Sequence, residues 1–148
     1  MELGECPDYE FIPLNSFVPD RLSHGYFLKN EHIEEIMKKN INIEICPSYD
    51  FKINKCIDYS EIYMKKFWNK KVKDQNGIEV NFNNISINSD CRTLMLTDIS
   101  QEYYEIGLSF NLDIKGLKIL IQNSINSMFD KNEELKAKLL KIIENFNI

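Results

Sequence analysis

The chain has 148 residues, of which 43% are hydrophobic and 11% aromatic, and its formal net charge is -5. This apolar content excludes an intrinsically disordered chain, and the length fits one folded domain that buries roughly 70% of the surface its unfolded state exposes. Five of the eighteen basic residues lie within the nine positions of segment 65–73, so the charge is strongly clustered.

The first predicted elements lie in the amino-terminal third of the chain. Residues 9–14 are expected to form a short strand, and the proline and glycine residues that follow predict irregular structure. A helix is predicted to begin at Asn30, because asparagine is a good N-cap and acidic residues follow in the first turns. Its apolar face consists of Ile33, Ile36 and Met37. A strand with one buried face is expected over residues 41–45, where isoleucine alternates with polar residues, and it ends at Pro47.

A β-hairpin is the strongest local signal in the middle of the chain. The dipeptide Asn76-Gly77 is typical of a tight two-residue turn, and an alternating apolar pattern follows it. We therefore expect residues 68–74 to pair with residues 78–87, after a short helix over residues 58–67.

The carboxyl-terminal half is expected to continue the sheet and then to form two helices. Strands are predicted at residues 91–97 and 103–112, joined by a polar turn. Asp113 is a typical N-cap, and helices are predicted directly after it and over residues 132–145. These elements predict an α+β fold in a single globular domain, with an antiparallel sheet of about four to six strands packed against helices, two of them C-terminal.

The sequence contains no motif that indicates an enzyme or a metal site. Its four cysteines form no C-x-x-C pair, and without a secretory signal they are expected to be reduced thiols. The sequence has no G-x-S-x-G, H-E-x-x-H or G-x-x-x-x-G-K-[ST] motif that would give His24 or His32 a defined partner. The sequence therefore predicts a cytoplasmic protein without a membrane span that is not an enzyme, with no catalytic residue, cofactor or metal. The alternative is an enzyme of unrecognised type, in which a cysteine meets His24 or His32 in space.

The lysine segment, residues 65–73, carries five lysines around Phe67 and Trp68. Cations neutralise phosphates and aromatic rings stack on bases, so a small nucleic-acid-associated protein is one interpretation. The acidic balance of the whole chain and the absence of arginine from the segment argue against it. We expect instead an edge strand that lysines protect from further pairing, with a protein contact as another alternative.

An acidic region follows the lysine segment. Residues 74–113 contain seven carboxylates and one basic residue, Arg92. An acidic loop with aromatic anchors can form a contact surface for a basic protein, although an ordinary solvated loop is the simpler alternative. The residues predicted to contact such a partner are Asp98, Glu102, Tyr103, Tyr104 and Glu105.

Three short stretches resemble a known class of proteins. They are residues 25–28, the predicted helix of residues 32–37 and the strand and turn of residues 43–47. This helix-then-strand pattern resembles small immunity proteins of bacterial polymorphic-toxin and contact-dependent growth-inhibition systems. The resemblance implies a protein that binds one cognate toxin, such as a nuclease with a basic cleft, and blocks it by steric and electrostatic occlusion. An acidic surface favours the same role, because it speeds association with a basic partner.

Overall fold

The computed structural model of the protein describes residues 17–73 and 77–146. Its strands are β1 (Arg21–Ser23), β2 (Asn42–Ile45), β3 (Lys70–Lys73), β4 (Glu79–Phe82) and β5 (Ile85–Ile87). Its helices are α1 (Asn30–Lys38), α2 (Pro47–Ile53), α3 (Arg92–Met95), α4 (Ile99–Ser109), α5 (Ile114–Asn126) and α6 (Glu133–Asn145). Two 3-10 turns, Tyr59–Glu61 and Tyr63–Lys66, occupy the predicted short helix. The predicted strand at residues 9–14 and Asn76 of the predicted turn lie outside the described residues.

Three strands form a parallel sheet in the order β1-β2-β5. Leu22 pairs with Ile43, and Ile43 pairs with Ile85, so apolar side chains of neighbouring strands share one face. They are fully buried in one core with Ile36 of α1 and Leu120 of α5. Parallel strands require crossover connections, and α1 supplies the connection between β1 and β2.

The opposite face of this sheet is polar. The strand register places Arg21 beside Asn42 and Glu44 beside Ser86. Arg21 forms an ion pair with Glu44 at 3.1 Å, and the Ser86 hydroxyl donates to the Asn42 side-chain oxygen at 2.9 Å. Asn42 in turn donates to Asn84 at 3.0 Å. The alternation of isoleucine with polar residues therefore separates an apolar helix-packing face from a hydrogen-bonded polar face.

A separate antiparallel hairpin confirms part of the predicted pairing. In β3 and β4, Lys70 lies opposite Phe82 and Lys73 lies opposite Glu79. The predicted strand of residues 78–87 is in fact two strands, because β5 leaves the hairpin and pairs with β2 in the parallel sheet.

The helices at the two ends of the described chain agree with the sequence patterns. Helix α1 begins one position earlier than predicted, because Lys29 is its N-cap and Asn30, the predicted N-cap, is its first residue. The Asp113 carboxylate accepts a hydrogen bond from Gly116 N–H at 2.8 Å, and the Asn132 side chain accepts one from Leu135 N–H at 2.9 Å. Both predicted C-terminal helices are thus confirmed. In the part of the chain that the structure describes, no helix has the length and apolar character needed to cross a membrane.

The prediction of one antiparallel sheet is wrong, although the mixture of helices and sheet is confirmed. The predicted strands at residues 91–97 and 103–112 are replaced by α3 and most of α4. In α4 the buried residues Glu102 and Ile106 lie four positions apart, as on one face of a helix. Because one of the two is a glutamate, the sequence does not show the apolar spacing that is typical of a helix. Strand β1 was missed because it has only three residues. Helix α2 was missed because Pro47, interpreted as the end of a strand, is the first residue of the helix, where proline is favoured. The single domain stays a prediction.

Candidate functional site

The candidate site lies where the three parallel strands end. His24 follows β1 directly, Cys46 follows β2, and Asp90 comes shortly after β5. The carboxyl ends of parallel strands meet at one edge of a sheet, so residues far apart in sequence converge there. His24 and Asp90 both have positive φ angles, 59° and 46°, which turn the chain sharply at this edge. We call His24, Cys46, Asp50 and Asp90 the carboxyl-edge cluster.

His24 lies between two carboxylates of different exposure. Its Nδ1 is 3.5 Å from Oδ1 of Asp50, and its Nε2 is 3.8 Å from Oδ2 of Asp90. The side chain of Asp50 is 2% exposed and that of Asp90 is 31% exposed. The ring of Tyr49 packs against the imidazole at a centroid distance of 4.7 Å. The imidazole is therefore fixed against a buried carboxylate on one side and faces a more accessible one on the other.

Burial changes the acidity of the groups around His24. It raises the pKa of Asp50 from 3.8 to about 6, while the hydrogen bond and charge of His24 oppose the rise. Burial also raises the pKa of the Cys46 thiol far above its usual range, and nearby carboxylates raise it further. A carboxyl group with a pKa near neutrality beside a histidine is typical of sites that transfer protons.

The cluster also contains donor atoms suited to a metal ion. His24, Cys46 and Asp90 each offer one donor atom, and these three atoms lie within 4.8 Å of one another. Nitrogen, sulfur and carboxylate oxygen are the donors that bind zinc in proteins. The expectation of no metal site rested on the missing C-x-x-C pair, and spacing along the sequence does not show that His24, Cys46 and Asp90 lie close together.

Glu102 stabilises the position of α2, the helix that carries Asp50 of the cluster. It is fully buried on α4, and its carboxylate accepts a hydrogen bond from Ser48 N–H at 2.9 Å. Ser48 lies in the first turn of α2, the helix that carries Asp50. The Ser48 hydroxyl also lies 3.3 Å from the Tyr59 hydroxyl. Glu102 thus anchors α2, and its predicted role on an exposed loop is wrong.

A surface pocket of about 600 Å³ opens between the elements that flank the cluster. Its walls include Ser48 and Lys52 of α2, Arg92 of α3 and Gln101 of α4. The pocket is therefore polar, with two cationic side chains, and its dimensions suit a small molecule.

The five residues predicted to contact a partner do not form an exposed loop. Asp98 is the N-cap of α4, where it accepts a hydrogen bond from Gln101 N–H at 2.9 Å. The hydroxyl of half-buried Tyr103 lies 3.3 Å from the Ser124 hydroxyl, and Tyr104 is exposed. Glu105 accepts a hydrogen bond from the Gln101 amide at 2.5 Å. The predicted loop is wrong because this segment is helical, and whether its exposed side contacts any protein stays a prediction.

The lysine segment comprises the end of the second 3-10 turn and strand β3, and none of its residues belongs to the carboxyl-edge cluster. Phe67 within it is fully buried, and Trp68 packs against the core. The amine of Lys66 donates to the Tyr26 carbonyl at 2.5 Å. Several of the lysines line a groove between α1 and β3. The segment is therefore anchored by its aromatic residues, and the predicted strand with outward lysines is confirmed for β3.

The main interpretation of the sequence assigned no function to the carboxyl-edge cluster, although its alternative, an unrecognised enzyme, did bring a cysteine to His24, as the structure does with Cys46. The available signal was a residue able to bind protons or metals at or shortly after the end of each parallel strand, at His24, Cys46 and Asp90. That signal becomes visible only if the strands are recognised as parallel, since an antiparallel order sends alternate strand ends to opposite edges.

Comparisons with known proteins agree with this geometry. The family model described as adenosine deaminase matches residues 13–146. An adenosine deaminase from Clostridium acetobutylicum is 28% identical over 127 residues, which are 84% of this chain and 34% of that protein. An N6-methyl-AMP deaminase from Danio rerio is 28% identical over 149 residues, covering 95% of this chain and 39% of that protein. The chain thus spans about a third of the length of these curated relatives.

A solved structure shows the same fold. The crystal structure of adenine deaminase from Arthrobacter aurescens superposes with a TM-score of 0.74 at 16% identity, covering 97% of this chain and 41% of that one. At this level of identity the likeness concerns the fold alone, and it agrees with the parallel sheet and not with the predicted antiparallel one.

These findings overturn the functional interpretation of the sequence. The matching model and the relatives are deaminases, so an immunity protein that neutralises a cognate toxin is wrong, and so is the expectation of a non-enzyme. The predicted alternative of an unrecognised enzyme was closer. Three short stretches of helix and strand, which many folds share, were too little to identify a family. Because the model match extends over nearly the whole sequence, the chain belongs to the adenosine deaminase family.

Proposed function

We propose that this chain contributes the carboxyl-edge cluster of a hydrolytic deaminase that removes the amino group from an adenine ring. The observation that carries the proposal is the position of His24 between Asp50 and Asp90, in a member of the adenosine deaminase family. Adenosine, N6-methyl-AMP and adenine, the compounds in the names of the similar proteins, share that ring. Because the chain spans about a third of its relatives' length, the activity itself is part of the proposal.

Hydrolytic deamination requires two proton transfers at one carbon. A water oxygen bonds to the ring carbon that carries the amine and loses a proton to a base, and the amine leaves after it gains a proton from an acid. An imidazole can perform both transfers near neutral pH. We assign this role to His24, because Asp50 holds its Nδ1 and leaves Nε2 on the side of the more exposed Asp90. Asp90 is assigned to orient the attacking water.

A divalent metal ion would fit beside His24, held by the Cys46 sulfur and a carboxylate oxygen of Asp90, while the imidazole serves proton transfer. Such an ion, when bound, lowers the pKa of a coordinated water and so supplies a nucleophile near neutral pH.

The test is to incubate the purified chain and zinc with adenine, adenosine or N6-methyl-AMP and to follow amine release and the deaminated product by mass spectrometry. We expect His24→Ala and Asp90→Asn to reduce turnover by at least about 100-fold, the range for loss of acid-base catalysis. The control is Glu133→Gln, an exposed residue of α6, which should leave turnover unchanged. If the wild-type chain neither converts nor saturably binds any of the three compounds, the proposal is wrong.

We propose that the chain is located in the cytoplasm, as its sequence predicts. Fractionation of the host cell with an antibody to the chain tests it, and recovery in the membrane or extracellular fraction would contradict it.

A further inference from the structure

We propose that the groove between α1 and β3 binds an acidic segment of a partner protein, which adds to the free edge of β3 as an extended strand. The groove has a volume of about 830 Å³, and none of its lining residues belongs to the carboxyl-edge cluster. The inference is independent of the proposed function, because it uses no residue assigned to deamination. We call it the lysine groove, after the six lysines that line it, Lys38, Lys65, Lys66, Lys70, Lys71 and Lys73.

The lysine groove is strongly cationic. Among the residues that line it, only Glu34 carries a carboxylate. Within the described part of the chain, Lys65, Lys70 and Lys73 form no ion pair. Burial lowers the pKa of Lys66, and the nearby charge of Lys65 lowers it further. Positive charge is therefore crowded here without compensation, and an anionic partner would relieve the repulsion.

The groove runs along one edge of β3. All four residues of this strand line it, although successive side chains of a strand point to opposite faces. Among the described residues, β3 pairs only with β4. Its other edge therefore presents backbone N–H and C=O groups that a further strand can pair with, apart from the Lys70 N–H, which donates to the Phe67 carbonyl at 3.0 Å.

The lining of the groove is also aliphatic. Ile33 and Met37 lie one turn apart on α1, and with half-buried Val72 they form an apolar wall. The methylene stems of the lysines extend this wall, while their amines stay in water. An extended peptide can add to a free strand edge through main-chain hydrogen bonds while its alternate side chains fill the adjoining groove.

The alternation of β3 predicts the sequence of the partner. Val72 packs against the core, and its neighbours Lys71 and Lys73 point to the other face of the strand. Apolar residues of an added strand should therefore lie beside Val72, and its carboxylates should lie beside the two lysines. Lysines on an edge strand normally oppose further pairing, but a strand that carries carboxylates removes this obstacle. The groove thus selects segments in which acidic and apolar residues alternate.

Nucleic acid fits the groove less well. Base stacking requires exposed aromatic rings, whereas Phe67 is fully buried and Trp68 packs against the core. No arginine is present among the lining residues to bind phosphates in a bidentate way. A phosphate backbone would also leave the apolar wall uncovered.

The experiment measures binding of a fluorescein-labelled peptide of four Glu-Val repeats to the purified chain by fluorescence anisotropy. We expect saturable one-to-one binding that weakens at least about threefold between about 50 and 200 mM NaCl, because salt screens exposed charges. A variant that combines Lys70→Gln, Lys71→Gln and Lys73→Gln should bind at least about tenfold more weakly. The matched control combines Lys138→Gln and Lys141→Gln on α6 and should bind as the wild type does.

Altered peptides test the added strand directly. An extended peptide turns the N–H groups of alternate residues toward β3, so N-methylation of one alternate set should abolish binding and methylation of the other set should be tolerated. A peptide of eight glutamates should bind at least about fivefold more weakly than the Glu-Val peptide, because it cannot cover the apolar wall.

Several outcomes would overturn the proposal. Absence of saturable binding, or equal binding by the triple lysine variant, would show that the groove does not hold the peptide. Equal effects of the two methylation patterns would contradict an added strand. Tighter binding of a single-stranded thymidine octanucleotide or of phosphatidylserine vesicles would assign the groove to a phosphate-bearing partner, and self-association of the chain that excludes the peptide would assign it to a second copy.

Discussion

The lysine segment and the carboxyl-edge cluster are both concentrations of ionisable residues, and they are built in opposite ways. The lysines are adjacent in sequence, and most of them are exposed on β3 and the turn before it. The members of the cluster are separated along the chain, and the fold brings His24, Cys46 and Asp50 together in a buried position. Charged residues that are adjacent in sequence create a charged surface. A catalytic site instead requires groups that the fold brings together and shields from water.

The two regions differ because the lysine segment is exposed to solvent and most of the cluster is buried. Lys71 and Glu79 lie 3.9 Å apart with more than half of each side chain exposed, and such surface pairs contribute about 0–1 kcal/mol. His24 and Asp50 are almost completely buried, where charges are less screened and pKa values move. Substitutions in each region test whether exposure to solvent explains this difference.

The largest effect is expected inside the lysine segment, at its aromatic residue. Phe67 is fully buried and packs against Tyr63 and Phe82, with ring centroids 6.3 Å and 6.0 Å away. Phe67→Ala should lower the free energy of unfolding by about 3–5 kcal/mol, because it leaves a cavity in the core. Urea denaturation measures the change, and Lys70→Ala is the control. A loss below about 1 kcal/mol would show that the segment does not anchor the hairpin.

The second prediction concerns the pH dependence of the buried pair. Burial raises the pKa of Asp50 from 3.8 to about 6, so the folded chain holds a proton that the unfolded chain has released between these values. The stability that protonated Asp50 contributes is fully present below about pH 4 and is lost as the pH rises through about 6. At 1.36 kcal/mol per pKa unit the loss is about 3 kcal/mol.

This loss is measured as a difference between variants. Urea denaturation of metal-free wild type and Asp50→Asn should show the wild type losing about 3 kcal/mol relative to the variant between about pH 4 and pH 7. Asp20→Asn, at an exposed position, should follow the wild type. Parallel pH profiles for the wild type and Asp50→Asn would mean that folding does not change the pKa of Asp50.

The local parts of the fold were predictable because their signals are local. Asp113 and Asn132 cap helices through their own side chains, and Gly77 marks the hairpin turn. Strand direction was not predictable in this way. Isoleucine and polar residues alternate in β2 as they do in an antiparallel strand, and only the pairing with β1 and β5 makes the sheet parallel.

The candidate site could not be predicted for the same reason, because it depends on the direction of the strands. In an antiparallel sheet the carboxyl ends of neighbouring strands lie at opposite edges, so the predicted fold did not place Cys46 and Asp90 beside each other. Glu102 shows a second limit. A glutamate in an apolar pattern normally indicates an exposed position, and its burial here depends on Ser48 N–H, a backbone donor on another helix.

Glu102 provides the third prediction. Glu102→Ala removes the acceptor for the buried Ser48 N–H and should cost about 1–3 kcal/mol of stability, the penalty for an unsatisfied buried donor. Thermal unfolding measures it. Glu105→Ala, one turn later on the less buried side of α4, is the matched control and should change stability by less than about 0.5 kcal/mol. Equal effects in the two variants would contradict the role of Glu102 as an anchor for α2.

The smallest effect is expected for the charges that dominate the sequence. Lys71→Ala should change the free energy of unfolding by less than about 0.5 kcal/mol, because the pair with Glu79 is exposed and water already solvates both groups. Raising the salt concentration should reduce even this difference, since exposed charges are screened. Urea denaturation at low and high salt measures both. A loss above about 1 kcal/mol at low salt that disappears at high salt would mean that the lysine segment holds the hairpin through its charges. Exposure to solvent would then not explain the contrast with the buried cluster.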